Sequence, residues 1–205
     1  MFPAATVFAQ DAPITGLSRH LSRIDIALSG AGLFNKTVSG PILPTSSNNF
    51  GQSIIQQPSN TLGGLFTIRY VAKPFIGAEL NYGYARYTEN YSNIGGVQTK
   101  VNEYTLGYVA TPGYTVFGFE PFVSAGAGST AFTPTPRGGQ GLKEQARMTY
   151  YYSLGLQQTA FSEHFGFRAA FREKFFLAPD FGQNYLTIKQ HTTTYEPTIG
   201  FFLKF

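Results

Sequence analysis

The sequence predicts an all-β fold, an eight-stranded antiparallel up-and-down transmembrane β-barrel. Three observations predict it. Eight segments alternate apolar and polar residues with a period of two. The connections between them alternate in length. The composition is low in charge (13%) and high in Tyr and Phe (16% together), with 23 Gly and no Trp; an ordinary globular domain carries about twice that charge. No run approaches about 18 consecutive apolar residues, so no helix of this chain is expected to span a membrane. The absence of Cys excludes disulfides and thiolate metal sites. The net charge of +4 is scattered without a basic stripe, so no nucleic acid partner is expected.

The elements follow in order. Residues 1–19 read as a residual secretory-signal tail and lead-in: Val7-Phe8-Ala9 has the form of a cleavage site, but the charged start of a signal is missing. Leu17–Leu21 is expected to make one helical turn. The barrel domain takes residues 20–205, with strands at 22–34, 62–73, 76–90, 99–111, 118–132, 146–159, 163–177 and 191–205. Asn35–Thr61, Asn90–Gln98, Thr133–Gln145 and Ala178–Gln190 read as the long connections, rich in Gly, Pro, Asn, Ser and Thr. Lys73-Pro74-Phe75, Thr111–Phe117 and Ala160-Phe161-Ser162 read as the short ones. Long loops at one end and short turns at the other are the asymmetry of a membrane barrel.

Each strand has two faces. One carries large apolar residues, among them Leu28, Phe66, Leu80, Tyr104, Leu106, Leu154, Phe171, Ile199 and Phe201. The other carries Asp25, Arg69, Glu79, Glu103, Glu120, Arg147, Arg168, Arg172, Lys174, Glu196 and Lys204, with Ser, Thr, Asn and Gln between them. Alternation alone does not decide which face is inside. Glycine does: Gly63, Gly77, Gly83, Gly107, Gly126, Gly128, Gly155, Gly166 and Gly200 share the polar face. Gly weakens a solvated strand, but a narrow lumen crossed by long charged side chains needs small residues opposite them. Bulk agrees, because the large apolar side chains would overfill an eight-stranded lumen. Tyr82, Tyr84, Tyr87, Tyr104, Tyr108, Tyr150, Tyr151 and Tyr152 are expected to form a girdle at the membrane rim.

With the polar face inside, the lumen holds five acids and six bases, and near-balance is required because an unpaired buried charge costs several kcal/mol. Placing the strands alternately up and down sorts them into two layers. Glu103, Arg147, Arg172, Lys174 and Glu196 fall in the half nearer the long loops; Asp25, Arg69, Glu79, Glu120, Arg168 and Lys204 fall in the other. Arg172 and Glu196, on adjacent strands, are the best single pair. The network is expected to plug the lumen. No metal constellation stands out, and no cofactor is expected.

The chain ends Thr198-Ile199-Gly200-Phe201-Phe202-Leu203-Lys204-Phe205. Thr198, Gly200, Leu203 and the terminal Phe205 resemble the C-terminal signal that the barrel-insertion machinery reads in bacterial outer-membrane barrels. With the strand count, the dyad pattern, and Arg168, Arg172 and Pro179-Asp180-Phe181 ahead of Glu196-Pro197, residues 20–205 resemble the small eight-stranded outer-membrane barrels of the OmpA transmembrane-domain and OmpX type. That resemblance implies the outer membrane of a Gram-negative bacterium, periplasmic termini, assembly by the insertion machinery, contact with lipopolysaccharide and a monomeric state.

Function is less legible. The main expectation is a non-enzymatic barrel with structural or surface-binding work in its loops, Asn35–Thr61 foremost; deletion of residues 38–58 is expected to leave the barrel folded. Arg86, outward near the rim, is placed to meet lipopolysaccharide phosphates. A narrow small-solute channel is the alternative. A lipid A-modifying enzyme is a weaker one, since it needs Ser, His and an acid together, and His20, His164 and His191 have no such company in the sequence.

Overall fold

The computed structural model describes residues 20–42 and 52–205; the expectations for residues 1–19 lie outside it. The strands are β1 (Ile24–Asn35), β2 (Val38–Pro41), β3 (Ser53–Pro58), β4 (Thr61–Lys73), β5 (Ile76–Tyr91), β6 (Gly95–Ala110), β7 (Glu120–Pro134), β8 (Gln145–Ser162), β9 (Phe165–Leu177) and β10 (His191–Lys204). β1 and β4–β10 form the barrel, each hydrogen-bonded antiparallel to its neighbours. Closure comes from β1 against β10, in register from Asp25↔Lys204 to Asn35↔Thr194. No sheet edge is left along the barrel wall, so its backbone polar groups are satisfied without water.

The apolar face is outside. Leu28, Leu106, Leu154 and Ile199 are 62–71% exposed, whereas Arg69, Glu79, Glu103, Arg172 and Lys174 are 2–4% exposed. An apolar belt this continuous suits hydrocarbon. Tyr82, Tyr84, Tyr104, Tyr108, Tyr150 and Tyr152 lie on it, with Tyr82 and Tyr104 in ring contact across β5 and β6 at 5.1 Å. Tyr87 and Tyr151 do not: both are buried inside. They share parity with Glu79 and Ser153, and a one-residue step along a strand reverses the face.

The loop expectations need two corrections. Asn90–Gln98 is no long loop, because β5 and β6 pair as far as Tyr91↔Gly95 and only Ser92–Ile94 turn between them. Gly95, at φ 83, takes the left-handed conformation that this tight turn requires. Asn35–Thr61 is no plain loop either. It contains β2 and β3, which pair with each other, and β3 adds to the end of β5 through Gln56↔Tyr91 and Pro58↔Glu89. Ile42, Ile54 and Gln56 are buried there, so deleting 38–58 would remove part of a core.

These additions reveal a second interior. A transmembrane β-strand needs about 9–11 residues; β5, β6 and β8 are longer and continue beyond the tyrosine band at the long-loop end. In that extension the inside becomes apolar. Leu33, Ile42, Ile54, Tyr87, Tyr91, Val97, Val101, Phe132 and Phe176 pack with Phe181, Leu186 and Ile188 of the β9–β10 connection. The barrel is therefore membrane-like along its span and soluble-like at its long-loop end.

Candidate functional site: the lumen and its cap

The lumen is filled by ion pairs resting on aromatic rings. Nearest the short turns, Arg69 binds Glu79 (2.7 Å) and Arg168 binds Asp25 (2.8 Å). The side-chain oxygen of Gln157 accepts hydrogen bonds from both arginines, and its amide donates to Glu120 (2.8 Å). Tyr151 and Asn81 both donate to Glu79. Above this layer, Arg172 and Lys174 share Glu103 and Glu196: Arg172–Glu196 is 3.0 Å, Lys174–Glu103 2.8 Å and Lys174–Glu196 2.6 Å, and Arg172 also contacts Glu103 directly. Two cations and two anions make this cluster neutral, which suits a site closed to bulk water.

The inward glycines have a more specific reason than room for long side chains. Gly126 lies opposite Tyr151, Phe122 opposite Gly155, and Phe202 opposite Gly166. A Cβ at any of these three glycines would run into that ring, and one at Gly107 would meet the Tyr151 hydroxyl. The rings thus lie flat against bare backbone, the arrangement by which aromatics cover strand glycines. Their exposed faces then carry the arginines: Arg69 stands 4.2 Å from the Phe122 centroid, Arg168 5.0 Å from Phe202, and Arg172 4.2 Å from Tyr151. Each such contact is worth about 0.5–2 kcal/mol, more when desolvated. Two small voids lie among the described luminal residues, about 10 Å³ beside Glu103, Lys174 and Glu196 and about 30 Å³ between Arg69, Glu79 and Arg172. Spaces of that size hold isolated waters and give a solute no path.

Two sequence-predicted members stand apart. Arg147 belongs to neither luminal cluster; it binds Asp180 of the β9–β10 connection at 2.9 Å. Lys204 is exposed at the short-turn mouth and forms no ion pair among the described residues; with Glu120 and Gln157 it lines an open vestibule of about 200 Å³. It stands opposite Asp25 at the last rung of the closing register, at the mouth of the lumen. Of the terminal motif, Thr198 and Gly200 face inward, while Leu203 and Phe205 are exposed outside.

The cap was not read from the sequence, although parity carried the signal: Tyr87, Glu89 and Tyr91 continue the inward set of Glu79 and Asn81. Asp180 anchors it, accepting from Gln145 (2.6 Å), the Gly182 amide (3.0 Å) and Thr187 (2.8 Å), besides Arg147. Burial pushes the Asp180 carboxyl up, but these hydrogen bonds and the Arg147 charge outweigh it and hold the group below its ordinary value. Phe181 (φ 51) and Lys189 (φ 49) are left-handed near the two ends of the segment, a conformation that L-residues adopt only under constraint. The histidines assemble nothing: His20 meets the Tyr70 hydroxyl, His164 the Lys204 carbonyl, and His191 is exposed. No group of three or more His, Cys, Asp or Glu positioned to hold a metal ion occurs among the described residues.

Among solved structures the chain is similar to Neisserial surface protein A, at 13% identity over 89% of this chain and 97% of that one, with a TM-score of 0.57. It is also similar to the N-terminal β-barrel domain of Pseudomonas aeruginosa OprF (16%; 88% and 97%; TM-score 0.48) and to E. coli outer membrane protein W (15%; 89% and 97%; 0.47). The first likeness establishes the fold as that of the small eight-stranded outer-membrane barrels. No protein-family model matches the chain, and no curated protein does.

Proposed function

We propose that this chain is a non-enzymatic, closed outer-membrane barrel that presents a rigid, folded surface outside a Gram-negative cell and conducts nothing. The observation that carries the reading is the double stopper: two layers of ion pairs in the lumen and an apolar core above them. A channel needs a continuous wet path, and the luminal voids of about 10 and 30 Å³ supply none. In this reading the long-loop end is extracellular, the termini are periplasmic, and the protein works as a monomer. Thr198, Gly200, Leu203 and Phe205 serve as the signal for the assembly machinery.

Lipopolysaccharide is the proposed partner. Arg86 and Lys100 are cross-strand neighbours that both face outward just beyond Tyr84, and like charges placed opposite each other favour a shared anion. The test is reconstitution into planar bilayers whose outer leaflet is lipopolysaccharide. The expected result is no ion conductance, with lipopolysaccharide retained through mild detergent extraction and released when Arg86→Gln and Lys100→Gln are combined. Steady single-channel conductance would overturn the closed-barrel reading; equal retention by the variant would remove these two residues from the lipid contact.

A further inference from the structure

Among the described residues, the cap at the long-loop end contains one buried carboxylate that no cation serves. Glu89, on β5, is fully buried, and it forms no ion pair among the described residues. Its Oε2 accepts a hydrogen bond from Gln56 Nε2 of β3 at 2.9 Å. Gln56 Nε2 also reaches the Tyr91 hydroxyl (3.2 Å), and that hydroxyl donates to the carbonyl of Pro179 in the β9–β10 connection (2.7 Å). One side-chain chain thus ties together three segments: the β2–β3 hairpin, the end of β5 and the segment that covers the mouth. Its two remaining acceptors, Glu89 Oε1 and Gln56 Oε1, are buried and have no hydrogen-bond donor among the described residues. Two orphaned acceptors in an apolar core are costly when the carboxylate is charged, and a proton on it removes the charge and supplies a donor.

We propose that Glu89, Gln56 and Tyr91 form a proton-operated latch, closed while Glu89 is neutral and loosened when it ionises, which releases the β2–β3 hairpin and the Pro179–Gln190 segment from the barrel mouth. The surroundings favour neutral Glu89. Around it stand Tyr87 and Tyr91 on β5 and Gln56 on β3. The inward charges on other elements are occupied: Arg147 of β8 with Asp180, and Arg172 and Lys174 of β9 with Glu103 of β6 and Glu196 of β10, while Lys36 after β1, Lys100 of β6 and Lys189 of the β9–β10 connection are exposed to solvent. His191, at the start of β10, is exposed. Burial pushes the Glu89 carboxyl up to about 7 from the ordinary 4.5, against the opposing hydrogen bond from Gln56. A group raised in the closed state contributes fully below pH 4.5, and its contribution is lost as pH rises to about 7. The closed-to-open ratio of the cap therefore falls about 300-fold in total, from well below pH 4.5 to well above pH 7. Asp180 has the opposite sense, its hold failing only as pH drops below the ordinary carboxylate range, so the window between pH 5 and 8 separates Glu89 from Asp180, and Glu89→Gln separates it from His191 at the start of β10.

The experiment is amide hydrogen exchange of the full chain in detergent micelles between pH 5 and 8, each rate divided by that of an unstructured peptide at the same pH. Protection of the Ile54, Gln56, Ala178 and Leu186 amides should fall about 100-fold over that range, while the Arg69 and Thr105 amides of the barrel wall stay constant. Glu89→Gln should make the cap amides independent of pH. Tyr91→Phe should leave the pH response at Ile54 and Gln56 and abolish it at Ala178 and Leu186. Constant protection in the unmodified protein, or a pH response that survives Glu89→Gln, would overturn the latch. If Glu89→Gln gives no folded barrel, the pH series and Tyr91→Phe decide.

Discussion

Glu103→Gln tests whether the lumen is held by charge balance or by packing. Glu103 is 2% exposed and lies between Arg172 and Lys174, which both also bind Glu196. The substitution keeps shape but leaves two cations on one anion in a space with room for little water. Removing one partner from a buried charge cluster costs about 3–5 kcal/mol. Lys174→Met unbalances the cluster in the other sense, two anions on Arg172, at a similar cost. Together the two changes leave a neutral Arg172–Glu196 pair, and only the loss of a few hydrogen bonds remains, about 1–3 kcal/mol. The double variant should therefore be no less stable than either single one, a coupling of at least about 3 kcal/mol. Urea unfolding in micelles reads this through far-ultraviolet circular dichroism or tyrosine emission, since the chain has no Trp, and the faster-migrating unboiled gel band certifies a closed barrel at the start. Additive costs within about 0.5 kcal/mol would refute the reasoning, because packing losses at two sites add while charge imbalances cancel.

Two further outcomes follow from the same geometry. Gly155→Ala puts a methyl into the Phe122 ring and within 2.8 Å of the Ala169 carbonyl; it should destabilise the barrel by about 1–3 kcal/mol, and adding Phe122→Leu should recover part of that in the same unfolding assay. Removing Phe205 should leave the lumen untouched, because its ring is outside, yet lower the fraction of chain that reaches the heat-modifiable state in cells; an unchanged yield would take Phe205 out of the assembly signal.

The barrel was legible because its causes are local and repetitive. Strand count and both faces follow from a period of two and the up-down alternation of neighbouring strands, as do the two luminal layers apart from Arg147, which pairs with Asp180, and Lys204, which is exposed at the mouth. Each of the eight expected segments coincides with a barrel strand, with ends shifted by four residues at most. The largest shift, at the start of β6, arose where the β5–β6 hairpin turns tightly at Ser92–Ile94. The same parity placed Tyr87 and Tyr151 inside, and counting tyrosines near the strand ends without it put them on the wrong face. Pairing was only partly legible. Arg172 and Glu196 stand opposite each other on adjacent strands. Glu103 reaches Arg172 and Lys174 from the far wall, a contact between residues about 70 positions apart that closure alone creates.

By itself, then, the sequence determined the strands, their two faces and the order around the wall, because a strand's pattern depends on its own residues and its immediate neighbours. Tertiary structure decided what happens inside. It set Tyr151, Phe122 and Phe202 against bare glycine backbone and laid arginines over their faces. It carried Asp180 across to Arg147, and folded the supposed loops into an apolar cap around Glu89. Those contacts join residues far apart in the chain, and only a closed wall about one side chain in radius brings them within reach.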